Sequence, residues 1–186
     1  MSIEEWFFFC LSLIWLLEFV LFRGARHSGD SHSIEQKSYY LILLSIIATV
    51  IGCLIIRETS FVIHTPLFIT WLSLFIYGTG IFLRYWSMLT LKHEFTRHVQ
   101  VSADKKLVSH GPYRSMRHPL YTALIVCMVG LSCYLASWVG LLFTLLLIIP
   151  SILIRIKLEE AMLTEALGET YDEWKRQRWI LMPWIY

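Results

Sequence analysis

Eleven consecutive residues, Gly111-Pro112-Tyr113-Arg114-Ser115-Met116-Arg117-His118-Pro119-Leu120-Tyr121, hold two arginines, one histidine, two tyrosines and two prolines between long apolar runs. Each proline restricts its own φ and disfavours helix at the residue before it. Pro119 also opens the next apolar run, where a proline at the first helical position costs nothing. That spacing predicts His118 as the N-cap of a helix, beside backbone N–H groups without intrahelical partners and at the positive end of the helix dipole. Such an end suits an anion. A cytoplasmic loop obeying the positive-inside rule accounts for the arginines. It does not account for the paired tyrosines or for a His-Pro at a helix mouth.

A second group follows 34 positions later. Arg155 and Glu159 are four apart at the end of an apolar run and share one helix face. Glu160 points about 100° further round, so the two glutamates are expected to address different targets. An ordinary helix salt bridge would be worth a few tenths of a kcal/mol. A charge directly after the unbroken apolar segment that ends at Ile154 is instead a functional candidate, with Glu159 to orient it. In the tail, Tyr171 and Trp174 are three apart and read first as aromatic anchors of an interfacial helix. His93, Glu94, His98 and His110 show no metal-ligand spacing, and neither a metal nor a nucleic-acid partner is expected.

The elements that must position these residues are membrane spans. The chain has 186 residues, of which 56% are apolar and fall in blocks, the pattern of a polytopic membrane protein. Five spans are predicted, at about 5–22, 39–56, 67–91, 119–136 and 138–155, in one all-α domain covering residues 1–186, with Pro150 kinking the fifth. Lys and Arg concentrate in three segments: Arg23 to Lys37, Lys92 to Arg117, and Arg155 to Arg178; the intervening loops hold only Arg57. That asymmetry puts the N-terminus outside and all three basic segments in the cytoplasm, where the central stretch and the tail can build one site. Arg84 and Glu18 lie inside spans. Arg84 can snorkel or face inward, and inward is preferred because other polar groups collect at its depth. Glu18 can snorkel, sit protonated in the core, or serve function. Cys10, Cys53, Cys127 and Cys133 all lie in apolar runs and read as buried thiols without disulfides.

The residues resemble the isoprenylcysteine carboxyl methyltransferases and their prokaryotic relatives over roughly Gly80 to Pro183. The resemblance rests on Leu107-Val108-x-x-Gly111-x-Tyr113, Arg117-His118-Pro119-x-Tyr121, Arg155-x-x-x-Glu159-Glu160 and Gly168-Glu169-x-Tyr171-x-Glu173-x-Lys175-Arg176, in that order and spacing. It implies an integral membrane helix bundle that uses S-adenosylmethionine without a Rossmann domain, and no strand–Gly-rich–helix unit is visible here. By resemblance the cofactor is held on the cytoplasmic side by Gln100, Lys105, Lys106, Leu107, Val108, Tyr113, His118, Pro119, Leu120 and Tyr121. Arg155 and Glu159 fall where the family binds and activates its methyl acceptor, a lipophilic molecule arriving from the bilayer. Ala123 stands where the motif usually has glycine, and Trp174 where tyrosine is common. Some sterol and fatty-chain reductases that use NADPH look similar over the same half, and a non-catalytic membrane scaffold is a third reading.

Overall fold

The computed structural model describes residues 2–21, 33–57, 65–91 and 107–182. Each predicted span coincides with a helix: α1 (Ile3–Leu21), α2 (Ser33–Arg57), α3 (Leu67–Leu91), α4 (Pro119–Tyr134) and α5 (Trp138–Leu167). A short helix, α6 (Glu169–Arg176), ends the order. By length and composition three of the described helices can cross a bilayer: Lys37–Arg57 within α2, α3 and α5. The other two differ in kind. α1 is 19 residues long but carries Glu4, Glu5 and Glu18, and α4 has 16 residues, roughly 24 Å at the helical rise.

Helix α5 continues well past the predicted end at 155 and stops only at Gly168, whose φ of 52° is a conformation that glycine adopts without strain. Gly168 separates α5 from α6, where the sequence pattern alone reads as one helical tail. Ahead of Pro150, the segment Thr144–Ile148 is π-helical. Pro150 lacks an N–H and its ring crowds the preceding turn, and a wider turn absorbs both.

Pairwise contacts fix the register of an up-and-down bundle. Arg84 meets Leu120, Gly80 meets Ala123 and Cys127, and Tyr77 meets Gly130, so α3 and α4 are antiparallel. A Cβ at Gly80 would lie 2.6 Å from the Cys127 nitrogen, and one at Gly130 would lie 2.5 Å from the Tyr77 nitrogen. Backbones approach this closely only where side chains are small, the usual device for joining helices in lipid. Ser12 and Glu18 of α1 meet Tyr77 and Arg84, so α1 runs parallel to α3. Ser45 of α2 meets Ser151, and Cys53 meets Gly140, so α2 is antiparallel to α5.

The bundle is partly inside out. Phe68, Phe75, Phe82 and Leu89 recur every seven residues on α3 and are between 57% and 75% exposed. A stripe of this size on one face marks a surface meant for lipid. The interior holds Tyr77, Met88, Met128, Ile148 and Ile152 together with the hydroxyls of Ser45, Thr49, Ser87, Thr122, Thr144 and Ser151. These hydroxyls bond mostly to carbonyls one turn back, so their own donors are paired inside the apolar core. All four cysteines are free; Cys53 and Cys127 are buried as expected, whereas Cys10 lies on the exposed face of α1.

Candidate active site

Polar side chains gather at one end of the bundle, where α1 and α3 finish, α2 and α4 begin, and α5 extends beyond its apolar segment. His118 is the N-cap of α4 and Pro119 its first residue, as the proline spacing predicts. The carbonyl of His118 accepts from Tyr121 and Thr122 N–H. Its ring is 6% exposed and points across to α5.

There the structure corrects one expectation. Glu159 and Glu160 do share a target: His118 Nε2 is 3.2 Å from Glu160 Oε1, and His118 Nδ1 is 4.0 Å from Glu159 Oε2. An imidazole presents its two nitrogens on opposite edges, so two carboxylates about 100° apart on a helix can flank it. Arg117 completes this side, with its Nη1 donating to Glu160 Oε1 at 2.7 Å.

Arg155 and Glu159 are joined through a third side chain. Tyr121, one turn into α4, accepts from Arg155 Nε at 2.9 Å and donates to Glu159 Oε2 at 2.9 Å. Arg155 Nη1 also donates to Ser38 Oγ of α2 at 2.9 Å. The Arg155 side chain is 5% exposed, whereas Glu159 keeps a quarter of its side-chain surface. A buried guanidinium thus faces the bundle interior, and a half-buried carboxylate faces the aqueous end. Tyr121, grouped with the cofactor residues by resemblance, touches the Arg155–Glu159 pair.

The remaining predicted residues fall around this centre. Tyr113 lies in the short 3₁₀ turn Gly111–Arg114 and is buried. Burial pushes its phenol well above the usual range, with the charge of Glu159 adding to the effect and Arg84 opposing it. Leu107 and Val108 lead into that turn and are half-buried, Pro119 is buried, and Leu120 lends its carbonyl to Arg84. Gln100, Lys105 and Lys106 lie outside the described residues. Among those described, no three His, Cys, Asp or Glu side chains cluster as metal ligands.

Three features escaped sequence reasoning. The buried Glu18 and the half-buried Arg84 form an ion pair across α1 and α3, and Arg84 Nη1 reaches the Leu120 carbonyl at 3.5 Å. The choice between snorkelling and facing inward is settled, since each charge meets the other at the same depth. Tyr171 does not project outward as an anchor. Tyr171 is 1% exposed inside the protein, where burial and the charge of Glu160 raise its phenol, and Trp174 Nε1 donates to Ser109 Oγ at 3.0 Å. Finally, residues 178–181 run alongside the central stretch. Arg117 N–H donates to the Trp179 carbonyl at 2.8 Å, His118 N–H to Ile180 at 3.1 Å and Trp179 N–H to Ser115 at 3.0 Å. Thr122 Oγ1 donates to the Leu181 carbonyl at 3.0 Å, and Arg178 Nε donates to the Tyr113 carbonyl at 2.9 Å. Residues 178–181 therefore hold the segment from Tyr113 to Thr122 in place. Their only trace in the sequence is a polar-aromatic run too short to carry periodicity.

This arrangement suits a reaction between one charged, water-borne reactant and one apolar reactant. The profile of the phospholipid methyltransferase family matches residues 68–170. The chain is 30% identical over 190 residues to the protein-S-isoprenylcysteine O-methyltransferase of Schizosaccharomyces pombe, covering 92% of this chain and 79% of that one. It is 25% identical over 174 residues to a probable protein-S-isoprenylcysteine O-methyltransferase of Oryza sativa subsp. indica, covering 90% and 89%. Among solved structures, the eukaryotic intramembrane Ras methyltransferase ICMT (isoprenylcysteine carboxyl methyltransferase) superposes with a TM-score of 0.68 at 22% identity, over 98% of this chain and 68% of that one. That likeness establishes the shared helical fold. The matches carry a methyltransferase and lend nothing to the reductase reading.

Proposed function

The chain belongs to the isoprenylcysteine carboxyl methyltransferase family and is an integral-membrane methyltransferase, and we propose that it methylates the carboxylate of an S-prenylated cysteine with S-adenosylmethionine as donor. The observation that carries this reading is the buried Arg155 guanidinium, linked through the Tyr121 hydroxyl to the half-buried Glu159.

Arg155 pairs with the acceptor carboxylate, since a guanidinium offers planar, paired donors that match a carboxylate's two oxygens. The pairing is strong because Arg155 sits behind the apolar segment of α5, where water does not compete. Glu159 faces the donor side and favours a cation there. The donor supplies a methyl group on a sulfonium; transfer breaks the carbon–sulfur bond, forms an ester bond to the acceptor oxygen and leaves a neutral thioether. The chain's own part is to bind, align and keep water out. The donor site takes in Tyr113, His118, Pro119, Leu120 and Tyr121 with Leu107 and Val108, and extends to Gln100, Lys105 and Lys106. Its fit rests on the chemistry of the set: buried aromatic walls, a helix mouth for a carboxylate, and Glu159 for the positive sulfur. The Lys/Arg asymmetry puts this end in the cytoplasm and residue 1 outside.

The test uses purified protein in lipid nanodiscs, S-adenosylmethionine labelled in its methyl group, and N-acetylcysteine carrying either a prenyl or a methyl thioether. The prenylated acceptor is expected to gain base-labile label, as an ester would, and the short thioether to gain none. Arg155→Lys and Glu159→Gln should each lose most turnover while binding S-adenosylhomocysteine nearly as the natural chain does. Base-stable label, or equal labelling of both acceptors, overturns the assignment.

A further inference from the structure

We infer that Ser38 is a positioning residue for the methyl acceptor: through its hydroxyl, α2 sets the plane of the Arg155 guanidinium. The inference rests on the reading of Arg155 as the acceptor's partner and goes beyond it to a helix that lies outside residues 68–170, the family-profile match.

Ser38 is buried at the start of α2, with Oγ 2.9 Å from Arg155 Nη1. Tyr121 holds Nε of the same guanidinium, also at 2.9 Å, from α4. Two anchors on two different helices and two different nitrogens define a plane; rotation about the end of the side chain breaks one or the other. Both anchors are hydroxyls. They orient the guanidinium and bring no charge of their own to it. A carboxylate in place of Ser38 would orient it equally well and neutralise it.

Docking of α2 does not depend on this contact. One seam down, Ser45 Oγ and Ser151 Oγ are 3.1 Å apart, and beyond them Cys53 packs against Gly140 of α5. Ser45 is two turns from Ser38, and Ser151 one turn from Arg155, so these contacts form the continuation of one antiparallel seam. The Ser38 hydroxyl adds to that seam at the position where it meets the guanidinium, and its contribution is orientation.

The experiment compares Ser38→Ala, Ser38→Cys, Ser38→Thr and Ser38→Asp in nanodiscs, measuring kcat and KM for the prenylated N-acetylcysteine, affinity for S-adenosylhomocysteine, and Tm. Removing the hydroxyl with Ser38→Ala should lower kcat/KM for the acceptor roughly tenfold to a hundredfold, as misplacement of a reacting partner does. Cofactor affinity should stay within about twofold, since Ser38 meets the donor residues only by way of Arg155. Ser38→Cys preserves volume and covers the case in which the alanine variant fails to fold; it should show the same loss. Ser38→Thr keeps the hydroxyl and should restore most activity. Ser38→Asp should hold or raise Tm by pairing with Arg155 and still lose turnover, an outcome that a purely structural role does not give. In an Arg155→Lys background, Ser38→Ala should add little further loss, because the two changes act through one group. Wild-type kcat/KM in Ser38→Cys, losses that multiply in the double variant, or an active Ser38→Asp overturns the inference. Failure of the unaltered chain to esterify the prenylated acceptor would count against the proposed function instead.

Discussion

Tyr121→Phe isolates the hydroxyl that links Arg155 to Glu159. The ring, the helix register and the buried volume all stay, and two hydrogen bonds of 2.9 Å each are lost. Hydrogen bonds to charged groups are worth roughly 1.5–3 kcal/mol each. The two losses are unequal. Glu159 retains a quarter of its side-chain surface and can turn to water, whereas Arg155 is 5% exposed and keeps Ser38. A combined effect of roughly 2–3 kcal/mol is therefore expected, weighted towards the arginine. If the link serves the acceptor, that corresponds to about a 30- to 150-fold fall in kcat/KM for the acceptor at 1.36 kcal/mol per decade. Binding of S-adenosylhomocysteine, followed by calorimetry, should change less than about threefold, because the Tyr121 ring stays in the donor site, Glu159 can turn to water, and the larger loss falls on Arg155. Tm should fall by roughly 4–12 °C, at about 2–4 °C per kcal/mol for a chain of this size. A variant that keeps its acceptor kinetics and loses cofactor affinity would show that Tyr121 belongs to the donor site alone, and the reasoning from its two partners would be refuted.

Gly130→Ala should be destabilising by about 1–3 kcal/mol, because its methyl carbon would sit 2.5 Å from the Tyr77 backbone nitrogen and force α3 from α4; thermal unfolding in detergent measures it, and an unchanged Tm refutes the tight α3–α4 contact. Arg178→Ala removes a guanidinium that donates to the Tyr113 and Trp174 carbonyls and lies 4.4 Å from the Trp174 ring centroid. Its S-adenosylhomocysteine affinity should drop roughly tenfold as the Tyr113–Thr122 segment loosens, and calorimetry showing full affinity would mean that residues 178–181 do not hold the donor site.

Length and spacing in the sequence were enough for the local structure. The apolar blocks placed five helices, with α3 starting and ending at the predicted residues, because an apolar segment of that length satisfies its own backbone in a bilayer as a helix. Pro119 placed the start of α4 and His118 its N-cap, since a proline's missing N–H and fixed φ are local facts. The order of motifs from Leu107 to Arg176 was enough for the family. Partners across helices were not legible. Glu18 and Arg84 are 66 positions apart, Ser38 and Arg155 117, and Arg117 and Arg178 61. Each pairing depends on how two helices are rotated and in what register they lie, and periodicity within one helix carries neither. The convergence of Glu159 and Glu160 on His118 has the same cause. Helix geometry alone sets their side chains about 100° apart, and only the ring brought in by α4 lets both reach one group.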